Sequence, residues 1–103
     1  MARSRKDLSP IFKKILGNNY VYYQSPGPNL VGYPCIVYEL SHKQVKYADD
    51  SLYNDMNRYT VTLVSKIPDN DDYIGSIISL PYCSYERRFI SDNLYHDVFD
   101  LFY

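Results

Sequence analysis

The sequence has no tryptophan, only two cysteines and four glycines, and a formal net charge of just −1 over 103 residues. Each scarcity excludes something. Two cysteines make no disulfide framework; Cys35 and Cys83 both lie in apolar, strand-like runs where a reduced thiol acts as a small hydrophobe. His42 and His96 follow them at spacings of seven and thirteen residues. Zinc-finger ligands cluster roughly two to five apart, so these four read as core thiols and surface or interface histidines, and no metal site is assigned. No segment approaches the roughly 20 apolar residues of a membrane-spanning helix. The charged start and the short apolar run behind it predict no secretory leader, which places the chain in a reducing cytoplasm or in a particle assembled there. Glycine-rich phosphate loops, a G-x-S-x-G elbow and an H-E-x-x-H pair are all missing. The near-neutral charge argues against a general nucleic-acid binder, whose surface is normally basic.

What the chain has in abundance is tyrosine, thirteen of them in a composition that is 46% apolar and 22% charged. That balance predicts one globular domain spanning residues 1–103, with a single modest core. Tyrosine joins a large apolar body to a polar tip and suits both half-buried sheet faces and protein–protein interfaces. Charge is unevenly spread. Residues 1–16 carry Arg3, Arg5, Lys6, Lys13 and Lys14 against Asp7 alone, a net +4, so the remainder carries −5. A basic arm beside an acidic body could meet between subunits, although a solvated helix face is the plainer reading.

Along the chain, Met1 to Lys6 is expected to be a flexible basic leader. Leu8, Ile11, Phe12, Ile15 and Leu16 then form one apolar stripe at helical spacing. Ser9, followed by Pro10, or Asp7 one turn earlier would cap this helix, and Gly17 would end it. Tyr20 to Tyr23 reads as a short strand. Residues 24–34, with Pro26, Gly27 and Pro28, read as an exposed loop. Cys35 to Leu40 is a strand that could continue through Val45 and Tyr47. Arg58 to Lys66 is the clearest strand, with Tyr59, Val61 and Leu63 on one face; Thr60, Thr62 and Val64 on the other imply partial cover. Asp69 to Asp72 lead into a second, short helix carrying Ile74, Ile77 and Ile78 on one face, ended by Pro81. Two strands joined at Ser91-Asp92-Asn93 follow, with Tyr85, Arg87 and Phe89 alternating against Ser84, Glu86 and Arg88. On the last strand Tyr95, Phe99, Leu101 and Tyr103 share a face, and its aromatic end is expected to be tied into the sheet. The whole predicts an α+β domain: a mainly antiparallel sheet with the N-terminal helix and a second short helix packed on one face.

The run Leu80-Pro81-Tyr82-Cys83-Ser84-Tyr85-Glu86-Arg87-Arg88-Phe89-Ile90-Ser91-Asp92-Asn93-Leu94-Tyr95-His96, ending in aromatics and preceded by Arg58-Tyr59-Thr60-Val61-Thr62-Leu63-Val64, resembles the small tail-completion proteins of tailed bacteriophages. These stand near the tail-terminator and head–tail joining proteins. Arg58-Tyr59, Leu80-Pro81, Arg88, Asp92-Asn93-Leu94 and His96 occupy the matching places, and the resemblance extends from Ile36 to the C-terminus. It implies a virion protein, assembled in the host cytoplasm, that forms a closed and usually sixfold ring. Such a ring caps the tail tube protein, stops its polymerisation and docks to the head-side connector or stopper protein. The implied chain is not an enzyme: it has no catalytic residues, cofactor or metal, and it contacts neither membrane nor specific nucleic acid.

Glu86, Arg87, Arg88, Asp92 and Asp97 are the charges of interest, because they sit on an aromatic-rich strand pair where charge is otherwise sparse. Together with Arg58 and His96 from the resemblance, Glu86, Arg87, Arg88 and Asp92 form the candidate subunit-interface set, and ordinary exposed sheet charges are the competing reading. Two other functions stay open. Asp69 and Glu86 could hold a magnesium ion in a small metal-dependent nuclease, though arginine is a poor substitute for its water-orienting lysine. An inhibitor-like module that binds one protein would differ by not closing into a ring. Asp49, Asp50 and Asp55 lack the glycine pivot and the terminal glutamate of a calcium loop.

Overall fold

The computed structural model of the protein describes residues 7–24, 32–42 and 57–103. The basic leader, most of the Pro/Gly loop, the continuation through Val45 and Tyr47, and Asp49, Asp50 and Asp55 all lie outside them. The elements run α1 (Leu8–Leu16), β1 (Val21–Tyr23), β2 (Cys35–His42), β3 (Arg58–Ser65), α2 (Asp71–Ile78), β4 (Cys83–Ser91) and β5 (Leu94–Phe102). They form an α+β fold with one five-stranded sheet in the order β1-β2-β3-β5-β4. Every pairing is antiparallel except β1 with β2, which is parallel. No helix among the described residues is long and apolar enough to cross a membrane.

Both helices cover one face of the sheet. Leu8, Phe12 and Leu16 of α1 and Ile77 of α2 close over Ile36, Tyr38, Tyr59, Val61, Leu63, Phe99 and Leu101, every second residue of β2, β3 and β5. Tyr38 is the hub of this core. Its ring lies 5.3 Å from Phe12, 5.1 Å from Tyr23 and 6.2 Å from Tyr59, so one side chain joins α1, β1, β2 and β3. A buried hydroxyl needs a partner, and Tyr38 Oη finds Ser9 Oγ at 2.6 Å. Ser9 therefore serves the core and not the helix cap; Asp7 holds the cap position without a side-chain bond. Gly17 ends α1 as expected, in the left-handed region at φ 74° that costs glycine nothing. Lys13 and Lys14 lie at the negative end of the α1 dipole, and Asp71 and Asp72 at the positive end of α2.

The opposite face of β3 is partly covered, as its threonines and valine imply: Thr60 and Thr62 are half-buried and Val64 is buried. Three expectations change. Gly32, Tyr33 and Pro34, read as the end of an exposed loop, are half-buried, and the ring of Tyr20 occupies the space where a Cβ on Gly32 would stand. Ile78 is exposed although Ile77 is fully buried; one residue further around a helix turns the side chain by about 100°, and α2 is too short to cover more than a narrow stripe. The third change is in β4. Tyr85 pairs with Phe99, Arg87 with Val98 and Arg88 with Asp97, so Glu86 is an inserted residue. This bulge breaks the alternation read from the sequence. Tyr85 and Arg88 share the helix-covered face with Phe99 and Asp97, while Arg87 and Phe89 fall on the other.

Urea unfolding of Phe12→Ala is expected to show a loss of about 3–5 kcal/mol, because α1 has no other aromatic in the core cluster. Ile78→Ala should stay within about 0.5 kcal/mol of the wild type.

Candidate functional site

The hairpin of β4 and β5 gathers most of the singled-out residues. Its turn is Asp92-Asn93, with φ of 54° and 62°. Positive φ at both central positions gives the type I′ turn, whose twist suits antiparallel strands, and Asp and Asn tolerate that region better than most residues. The hairpin register is thereby set at Ser91 opposite Leu94.

On the helix-covered face this register puts a carboxylate among apolar side chains. Asp97 is fully buried, opposite Leu63 on one side and Arg88 on the other. An unpaired charge there would be very costly, and Asp97 is held by three hydrogen bonds. Its Oδ1 accepts from Arg88 Nε at 2.8 Å and from the Tyr85 hydroxyl at 2.8 Å, and its Oδ2 accepts from Arg88 Nη2 at 3.1 Å. The guanidinium thus meets the carboxylate side-on through two nitrogens, the geometry that arginine provides and lysine cannot. Arg88 Nη2 also donates to the Pro68 carbonyl at 2.8 Å, which ties the β3–α2 loop to the edge strand. The Tyr95 ring lies under the guanidinium at 5.6 Å. Burial and the bond to Asp97 raise the pKa of the Tyr85 hydroxyl, so it stays a donor.

Of the remaining candidates, all but Arg58 lie on this same hairpin. Arg58 pairs within the chain, with Asp100 at 3.1 Å, across a partly exposed contact of modest energetic value. His96 stacks on Phe89 at 4.5 Å with a 9° tilt, and its Nδ1 donates to the Leu94 carbonyl at 3.1 Å. Arg87 lies 5.4 Å over the other side chain of that stack, Phe89. Glu86 and Arg87 stand exposed at the bulge, and Asp92 is exposed in the turn. Of the candidate set, then, Arg88 and Arg58 are engaged internally, whereas Glu86, Arg87 and Asp92 face solvent. Sequence reading did not show that Asp97 is the buried anchor. The available signal was its place in the row Tyr95, Phe99, Leu101, where a carboxylate demands a cation.

Asp69 and Glu86 join no group of three or more metal-ligating side chains among the described residues. A cleft of about 450 Å³ beside Asp69, Asp71 and Asp72 is therefore acidic without converging on an ion. A second cleft, about 220 Å³, is lined by Tyr33, Pro34, Lys66 and Tyr73. It is smaller than the roughly 300 Å³ at which small-molecule sites begin. Burial pushes the Cys35 and Cys83 thiols up to about 11, with Asp100 adding to the rise at Cys83. Comparison with known proteins gives no match, whether to a protein family, a curated protein or a solved structure.

Two measurements follow from this geometry. Arg88→Met should destabilise by about 3–5 kcal/mol in denaturant titration, since it leaves the buried Asp97 carboxylate without its cation; Asp97→Asn should cost less, because Arg88 is partly exposed and keeps the Pro68 carbonyl. Arg88→Met with Asp97→Leu should be milder than Arg88→Met alone. At pH 8, iodoacetamide should label both cysteines slowly in the folded protein and quickly in denaturant, because a raised thiol pKa leaves almost no thiolate at that pH.

Proposed function

We propose that this chain is a structural protein of a tailed-bacteriophage virion that completes the tail and joins it to the head connector. It acts as a closed ring of identical subunits, six in number by the pattern of the family it resembles. Its partners are other copies of itself, the tail tube protein and the head-side connector or stopper protein. It needs no cofactor and performs no turnover.

The observation that carries this reading is β4: a nine-residue strand at the end of the sheet, exposed at eight positions and yet rigidly anchored through Arg88 and Asp97. An exposed strand edge is a surface ready to pair with another chain. The opposite end of the sheet is the three-residue, half-buried β1. The two ends differ in length and cover, and a ring needs unlike patches that meet head to tail. Aromatic side chains at β4, with Arg87 beside them, suit the core of such a contact.

Deleting the gene from its phage should leave filled heads and free tails unjoined, or tails of irregular length, when lysates are viewed by electron microscopy. Normal virions from the deletion would contradict the reading.

A further inference from the structure

Four of the seven exposed large hydrophobic residues among those described, Tyr82, Tyr85, Phe89 and Ile90, lie on or next to β4. Ile90 is the barest, at 64% exposure. Edges of this kind are usually guarded by charges and bulges, and β4 has both. Its guard is self-complementary, however. Asp97 neutralises Arg88, so the charges left on the strand are Glu86 and Arg87, adjacent, opposite in sign and located at the bulge.

The bulge also makes the strand a palindrome in its facing. Cys83 and Tyr85 before it, and Arg88 and Ile90 after it, point to the helix-covered face; Ser84 and Phe89 point to the other. An antiparallel second copy centred between Glu86 and Arg87 sets Glu86 against the partner's Arg87, and Arg87 against the partner's Glu86. The same register places Tyr85 against the partner's Arg88, Ser84 against the partner's Phe89 and Cys83 against the partner's Ile90. Each of the last three pairs lies on a single face. A slip of one residue in either direction sets Tyr85 or Ser84 against a residue of the opposite face, which sheet pairing forbids.

We propose that β4 is a self-association site, at which a second copy of this chain adds antiparallel about a two-fold axis through the Glu86–Arg87 bulge. A strand of another protein would need the same facing palindrome and the same charge order to fit as well. The pairing describes the free chain and stands apart from the virion reading. A two-fold contact has no polarity, so a subunit entering a head-to-tail ring would exchange it for the neighbour's unlike patch.

The test is solution mass by size-exclusion chromatography with light scattering, over a wide concentration range, with circular dichroism to confirm folding. The wild type should form a dimer. Glu86→Arg alone and Arg87→Glu alone each set two like-charged pairs across the axis and should weaken the dimer at least about tenfold. The exchange of both, Glu86→Arg with Arg87→Glu, should restore it. Both side chains are exposed, so folding should survive each change. A monomer throughout, a ring-sized species in free solution, or a dimer indifferent to the single reversals overturns the proposal; gene deletion tests the virion reading separately.

Discussion

One carboxylate governs the edge of this protein. Asp97 lies in the row of β5 side chains that faces the helices, between Phe99 and Tyr95, with no exposure to solvent. A charge in that position is tolerable only if its partner supplies bidentate geometry and further hydrogen bonds support the carboxylate. Arg88 and Tyr85 do both. Because β5 is also held by β3 along eight paired positions, fixing β4 to Asp97 fixes it to the rigid centre of the sheet. The bond from Arg88 to the Pro68 carbonyl extends the same anchor to the loop before α2.

That arrangement gives the edge its character. Without such an anchor, a strand bare on nearly every residue and supported on one side only would fray, since edge strands bury little to offset their ordering entropy. With it, the aromatic side chains and the Glu86–Arg87 pair are presented in fixed positions. Preorganisation of this kind lowers the cost of association, because little remains to be ordered when a partner arrives. The physical argument for the proposed assembly role rests on this combination of exposure and rigidity.

Much of the fold was legible in the residues. The α1 stripe, its Gly17 stop, the alternation of β3 and the Asp92-Asn93 turn each follow from local periodicity or from turn chemistry. What was not legible depends on partners distant in sequence. The segment Ser84 to Phe89 alternates so regularly that it reads as an unbroken strand with Tyr85, Arg87 and Phe89 together. The demand of Asp97, nine residues beyond Arg88, brings Arg88 to the core face instead and leaves Glu86 as the inserted residue. Ser9 looked like a cap because its neighbour is proline, and only the position of Tyr38 shows where its hydroxyl is used. The parallel direction of β1 leaves no mark in three residues of sequence, since side-chain alternation is the same in either direction. Of the candidate interface set, Glu86, Arg87 and Asp92 are exposed, while Arg58 and Arg88 are engaged inside the chain.

The central claim is that Asp97 holds the edge strand to the sheet, and amide hydrogen exchange read by mass spectrometry tests it most directly. In Asp97→Asn, β4 and residues 66–70 should lose protection, while α1, β2 and β3 keep theirs. Equal loss of protection throughout the protein, or none in β4, would contradict the claim.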